Sequence, residues 1–295
     1  MHDRCWSFLP EASVFTLYRG GQKAFSLLKR GIQKLADIPS DVTLTDNQAI
    51  QRAVLLAGQP HIDRPALAAF LGQLEYPVSY LDFETIGTAI PLFVGVSPYQ
   101  QVPFQYSLHI VRSPIAKSRF DAGPGSGAKS RFDAKSRIDH RQFLAEGRGD
   151  PRPEFMRQLR ETLPATGSVV AYNAGFETSR LTECCDLLPE YKPWLRKVTP
   201  RIVDLLLPFR GFRYHHPAQN GSNSMKAVLP ALTGKGYEYL TIQEGNAASR
   251  EFLRVTFGDV PAAERRRVRK ALEEYCALDT FGMVQIVERL KELIA

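Results

Sequence analysis

Apolar residues recur at helical spacing through the first 75 positions. Residues 24–35 carry such a stripe, Thr45 stands where it can cap a helix over 47–57, and Asp63 before Pro65 opens another over 66–74. No polar residue there is arranged for chemistry. The texture changes near residue 76, where 77–84 is a short β-prone run and 101–112 a second one rich in Val, Phe, Tyr and Ile. Strands are also expected near 141–144 and over 168–172, with helices over 153–163 and 176–188 between and after them. A strand or strand-to-helix junction follows over 201–206, and a helix opens over 224–232 behind Gly221 and Ser222. Over 261–294 the spacing of Val268, Leu272, Tyr275, Cys276, Phe281, Val284, Val287 and Leu290 is that of one long or broken helix. The alternation predicts an α/β domain over 76–295 behind a helical extension over 1–75.

One tract breaks the pattern. Ala116-Lys117-Ser118-Arg119-Phe120-Asp121-Ala122 recurs as Ala128-Lys129-Ser130-Arg131-Phe132-Asp133-Ala134, and Lys135-Ser136-Arg137 begins a third copy. So short and incomplete a repeat reads as a local duplication expanding one loop, an insertion over 115–139, and not as a solenoid. It bears on the charge balance. The chain has 38 Lys and Arg against 31 Asp and Glu, a net +7 that permits a polyanionic partner. The insertion holds six basic and three acidic residues, so it supplies three of those seven charges, and a nucleic-acid partner has to be argued from a site.

At 295 residues, 44% hydrophobic and 23% charged, the chain can bury a core and is neither disordered nor fibrous. No run of about 18 uncharged apolar residues occurs, and Asp3, Arg4 and Glu11 interrupt the N-terminus where a signal peptide would be apolar. A soluble, cytoplasmic protein with no membrane partner is expected. The four cysteines form no CxxC pair and no disulfide framework.

Three carboxylate motifs carry the candidate chemistry. In Asp82-Phe83-Glu84-Thr85 the two acids are two apart and share one face of a strand, where they repel unless a hard cation neutralises them; an exposed turn is the plainer alternative. In Tyr172-Asn173-Ala174-Gly175-Phe176-Glu177 an acid follows a turn onto the first turn of a helix, which the helix dipole alone would also favour. In Tyr275-Cys276-Ala277-Leu278-Asp279-Thr280, Tyr275 and Asp279 lie one helical turn apart, an arrangement common in structural hydrogen bonds. Their joint occurrence in this order adds what each lacks singly.

That order resembles the DEDD superfamily of ribonuclease-H-like 3′-5′ exonucleases, in the branch whose third motif carries tyrosine. Within it, Tyr80 to Thr85, Pro103 to His109, Asp150-Pro151-Arg152, Tyr172 to Glu177, Val203-Asp204-Leu205, Gly221 to Lys226 and Tyr275 to Thr280 are similar to an uncharacterised bacterial domain family found behind a RecB-like nuclease domain. The resemblance implies a ribonuclease-H-like mixed sheet flanked by helices. It also implies two Mg²⁺ or Mn²⁺ ions on Asp82, Glu84, Glu177 and Asp279, with Tyr275 orienting the attacking water and Asn173 and Asp204 supporting the ligands. The activity implied is two-metal-ion hydrolysis of DNA or RNA from a single-stranded 3′ end. Glu177 departs from the superfamily, whose second motif ends in Asp. That departure motivates an alternative, a catalytically degenerate domain that binds nucleic acid or a partner.

The same resemblance offers a RecB-like nuclease as partner or lost fusion domain, with 1–75 an interdomain remnant. Cys5 is similar to the last cysteine of the iron-sulfur cluster in those nucleases, without its three companions. For nucleic-acid contact the sequence offers Ser224 and Lys226 at a helix start, where free N–H groups can receive a phosphate, alongside ordinary capping by Ser222 or Ser224. It also offers Arg265, Arg266 and Arg269 in a basic run that reads equally as a solvated helix face. Tyr214-His215-His216 is expected in an exposed loop and not at zinc.

Overall fold

The computed structural model describes residues 7–115 and 138–295. Only the ends of the insertion expected over 115–139 are among these; the duplicated tract and Cys5 lie outside the described residues. Two compact units are present, one comprising Met1–Leu71, Leu206–Gly236 and Arg289–Ala295, the other Gly72–Leu205 and Tyr237–Glu288. In this division 206–236 and 289–295 group with the N-terminal residues and not with the rest of 76–295.

In the first unit the helix expected over 24–35 runs only over Gly21–Lys29. Gly31 takes a left-handed φ of 78°, which turns the chain, and Leu35 restarts it as a 3-10 turn. Leu27, Leu35 and Ile38 still meet, packing with Val14 and Leu17 in a small core. Thr45 forms a capping box with Gln48 at the head of Asp46–Ala57, and Asp63 accepts the N–H of Ala66 at 3.1 Å to start Arg64–Leu71. The expected loop at Tyr214 to His216 is corrected: Tyr214–His215 pairs antiparallel with His61–Ile62, and both of its residues are buried. Phe212 stacks on His215 at 4.3 Å, so the imidazole is packed in the core of this unit.

The second unit contains β1 (Val78–Ile86), β2 (Val102–Val111), β3 (Ile138–Leu144), α1 (Arg152–Thr162), β4 (Val169–Ala171), α2 (Gly175–Leu187), α3 (Lys192–Val198), β5 (Ile202–Asp204), α4 (Gly245–Phe257) and α5 (Ala262–Ile294). Its sheet runs β3-β2-β1-β4-β5. The first three strands are antiparallel, and β4 and β5 run parallel to β1. Every residue of β2 is buried and every residue of β1 but Asp82, as expected for strands covered on both faces. On one face Phe83 packs edge-on against Phe155 of α1 at 5.0 Å. On the other, Gln105 donates to the Leu272 carbonyl of α5 at 2.9 Å, and Ser107 meets Thr280 of α5 at 2.6 Å.

The expected long helix is continuous over 33 residues, although its last residues group with the first unit. Among the described residues no helix is long and apolar enough to cross a membrane. No helix is expected from the sequence pattern at α4, which packs Phe252 on Phe104 of β2 with ring centroids 3.9 Å apart.

The approach to β4 depends on one glycine. Gly167 has φ of 79°, and a Cβ there would run into the Pro77 carbonyl oxygen and lie 2.7 Å from its nitrogen, both backbone atoms. Gly167→Ala should therefore lower stability by more than about 1 kcal/mol. Urea denaturation checks this: the midpoint should fall with the slope unchanged, and an unaltered midpoint would refute the packing described.

Candidate metal centre

β4 pairs with β1 only at Ser79 and Tyr80 and ends at Ala171. Asp82 and Glu84 thus extend past its carboxyl end, in the kind of crevice that collects ligands in α/β sheets. Being two apart, they share a face of the strand, opposite Ser107 and Gln105 of β2. The chain leaves β4 through Asn173, which takes a left-handed φ of 71°, and enters α2, where Glu177 sits on the first turn. The N–H of Asn173 donates to Asp204 at the end of β5 at 2.9 Å, so these two residues brace the turn that carries Glu177. From α5 come Tyr275, Cys276 and Asp279, all buried.

The sequence motifs therefore meet. Asp82, Glu84 and Cys276 each offer a donor atom, and these atoms lie within 4.8 Å of one another. Glu177 and Asp279 are outside that tightest group but close enough for their charges to act on Asp82. Burial first, then the charges of Asp279, Glu177 and Glu84, hold the Asp82 carboxyl well above the usual carboxylate range. Burial, followed by Asp204, raises Glu177 to about 8. The phenol of Tyr275 is pushed up by burial and then by Asp279, Glu84 and Asp82.

Such a cluster is destabilised as it stands, and the donor set suits hard divalent cations, which take carboxylate oxygens. One observation tests the fit directly. Glu177 is only 3% exposed, and its Oε2 is buried without a hydrogen-bond partner, so a donor atom there is free of any competing hydrogen bond.

Three participants escaped the sequence reading. Tyr237 donates its hydroxyl to Asp279 Oδ1 at 2.5 Å, yet it lies 42 residues away in a stretch with no motif. Cys276 was legible only as an apolar helix position. Gly245, the first residue of α4, comes so close that a Cβ there would stand 3.6 Å from Glu84 Oε2. The positive end of that helix dipole offsets part of the Glu84 charge.

The basic candidates behave differently. Arg269 donates to the carbonyls of Ala145 at 2.8 Å and Leu144 at 3.2 Å, so it finishes the end of β3. Arg265 and Arg266 are exposed on the first turns of α5. Ser224 and Lys226 belong to the first unit. Ser224 is the N-cap residue there but makes no side-chain cap, and its N–H instead donates to Ser222 Oγ at 3.2 Å.

A family profile described as a domain of unknown function (DUF2779) matches residues 79–224, a span that includes Asp82, Glu84 and Glu177 and stops before α5. The chain is similar to the uncharacterized protein MG366 of Mycoplasma genitalium, 25% identical over 227 residues that cover 73% of this chain and 32% of that protein. It thus spans about a third of the length of this curated relative. No solved structure matches.

The raised acids fix the sign of a pH effect. In the folded state Glu177 binds a proton that the unfolded chain has released, so its contribution is complete at low pH and is lost as pH rises through about 8. The buried His109 and His215 titrate below 6.5 in the fold and contribute in the opposite sense, but only up to the ordinary histidine value of 6.5. In EDTA, between about pH 6.5 and 8, the urea midpoint should therefore fall, and Glu177→Gln should flatten that fall. A midpoint that climbs over this interval would contradict the arrangement.

Proposed function

We propose that the chain is a metal-dependent nuclease that hydrolyses DNA or RNA phosphodiesters from a single-stranded 3′ end, with Asp82, Glu84, Glu177 and Asp279 holding two Mg²⁺ or Mn²⁺ ions. The observation that carries this reading is the pair Asp82 and Glu84 within 4.8 Å of each other at the end of β1, with Asp279 of α5 and Glu177 of α2 near enough for their charges to act on Asp82 and one Glu177 oxygen buried without a partner. Strand order supports the ribonuclease-H-like assignment, since three antiparallel strands are followed by two parallel to the first. Tyr275, one helical turn before Asp279, supports the tyrosine-type branch.

When bound, a pair of divalent ions activates a water on one side of the phosphodiester and stabilises the leaving oxygen on the other. The protein's own groups have distinct tasks. Tyr275 keeps its proton at neutral pH, because burial and the neighbouring acids raise its phenol, so it serves as a hydrogen-bonding guide for water and not as a base. Tyr237 holds Asp279 in one orientation through their hydrogen bond. Arg265 and Arg266 are the exposed cations of α5 best suited to meet a phosphate backbone.

Glu177, one methylene longer than the usual Asp, favours a second reading as a binding domain without turnover. A labelled oligonucleotide assay with Mg²⁺ or Mn²⁺ separates the two. Shortening from the 3′ end is expected, with Asp82→Ala and Asp279→Ala each slowing it by about 100-fold or more, the scale of losing one charge-stabilising group. Tyr275→Phe should lower kcat and leave ion affinity unchanged. Calorimetric Mn²⁺ binding with no degradation of DNA or RNA would replace the nuclease with the binding domain.

A further inference from the structure

Cys276 stands where a site made only of oxygen donors has no use for it. Its Sγ lies 3.9 Å from the Asp82 carbonyl oxygen and 4.0 Å from Asp82 Oδ2, contacts too long to commit the sulfur to a strong hydrogen bond. Its donor atom, one from Asp82 and one from Glu84 fall within 4.8 Å of one another. On a tetrahedral zinc ion, with Zn–S of about 2.3 Å and Zn–O of about 2.1 Å, sulfur and oxygen ligands stand about 3.6 Å apart. The observed Cys276 to Asp82 separation is within a few tenths of an ångström of that value. Beside this group Glu177 buries an Oε2 without a hydrogen-bond partner and stands near enough for its charge to act on Asp82, so a cation held by Asp82 would face a further acid.

We propose that Cys276, Asp82 and Glu84 form a mixed sulfur–oxygen site for a thiophilic divalent cation of the zinc class, and that this ion displaces Mg²⁺ or Mn²⁺ from the carboxylate cluster. Hard ions take oxygen ligands and leave the thiol alone, whereas zinc-class ions select sulfur. On binding, the S–H bond breaks, its proton passes to water, and a sulfur–metal bond forms with no change of oxidation state. Zinc then competes directly with the hard ions for the centre.

The inference builds on the carboxylate cluster but not on turnover, so its test reads ligation. Co²⁺ added to the wild-type protein should produce a thiolate-to-cobalt charge-transfer absorption that Cys276→Ser abolishes. The same variant should weaken Zn²⁺ binding by about tenfold or more, at least the loss expected for groups that merely support a ligand, while Mn²⁺ affinity stays within about twofold. X-ray absorption of the Zn²⁺-loaded wild type needs no variant and should show a sulfur neighbour at about 2.3 Å. A shell of only oxygen and nitrogen, or a cobalt band that survives Cys276→Ser, overturns the proposal. Unchanged Mn²⁺ binding in the presence of saturating Zn²⁺ overturns the competition. Failure of the oligonucleotide assay would remove the nuclease reading and leave these outcomes standing.

Discussion

The repulsion between carboxylates buried at one end of β1 is the constraint around which the second unit is arranged. Two unit charges about 5 Å apart repel by about 3 kcal/mol at an effective dielectric near 20, and a folded domain has only about 5–15 kcal/mol of net stability. The fold responds in three ways. Asp82 keeps an edge open to water, the end of a helix dipole approaches Glu84 through Gly245, and Tyr237 donates to Asp279. Burial and then the repulsion that remains raise Asp82, and burial followed by Asp204 raises Glu177, so part of the charge stays protonated. A divalent cation would remove the same repulsion more completely, and this is the physical ground of the proposed metal site.

Such a site depends on holding α5 in register against the sheet, and this is done by polar contacts instead of apolar ones alone. Thr280, next to Asp279, meets both Ser107 and His109 of β2, and Ser107 also meets His140 of β3. The two imidazoles stack with centroids 4.2 Å apart, and burial, followed by the neighbouring ring, drives His109 down to about 3. A neutral, fully engaged network of this kind ties the helix to two strands at one level of the sheet. Small rotations of α5 would break hydrogen bonds before they displaced Asp279.

The strands of the sheet were readable because each is a short apolar run between turn residues, and the acids stood out because they interrupt those runs. Joining Asp82, Glu84, Glu177 and Asp279 required the order of three motifs, since no one motif differs from an exposed turn or a helix cap. The parts that escaped have physical reasons. Helix α4 begins at a glycine and carries few strong signals, so its role comes from Phe252 packing on Phe104, a contact between residues 148 apart. Tyr237 is an isolated aromatic whose meaning lies entirely in its distant partner. The basic run of α5 was misleading at Arg269, because a cation that satisfies two backbone carbonyls looks in sequence like one waiting for phosphate.

The first unit is assembled from three separated stretches of chain. Asn47 bonds the Arg210 carbonyl, Tyr18 packs on Phe212, and His61 pairs with His215, so the opening residues fold against a segment that arrives after β5. The two units are therefore interleaved in the gene, not consecutive. Exchange of coding segments at a single point near residue 75 would strand 206–236 without the surfaces it covers. A module joined upstream would therefore meet a unit whose remaining segments, 206–236 and 289–295, are encoded only after the carboxylate-bearing unit has begun.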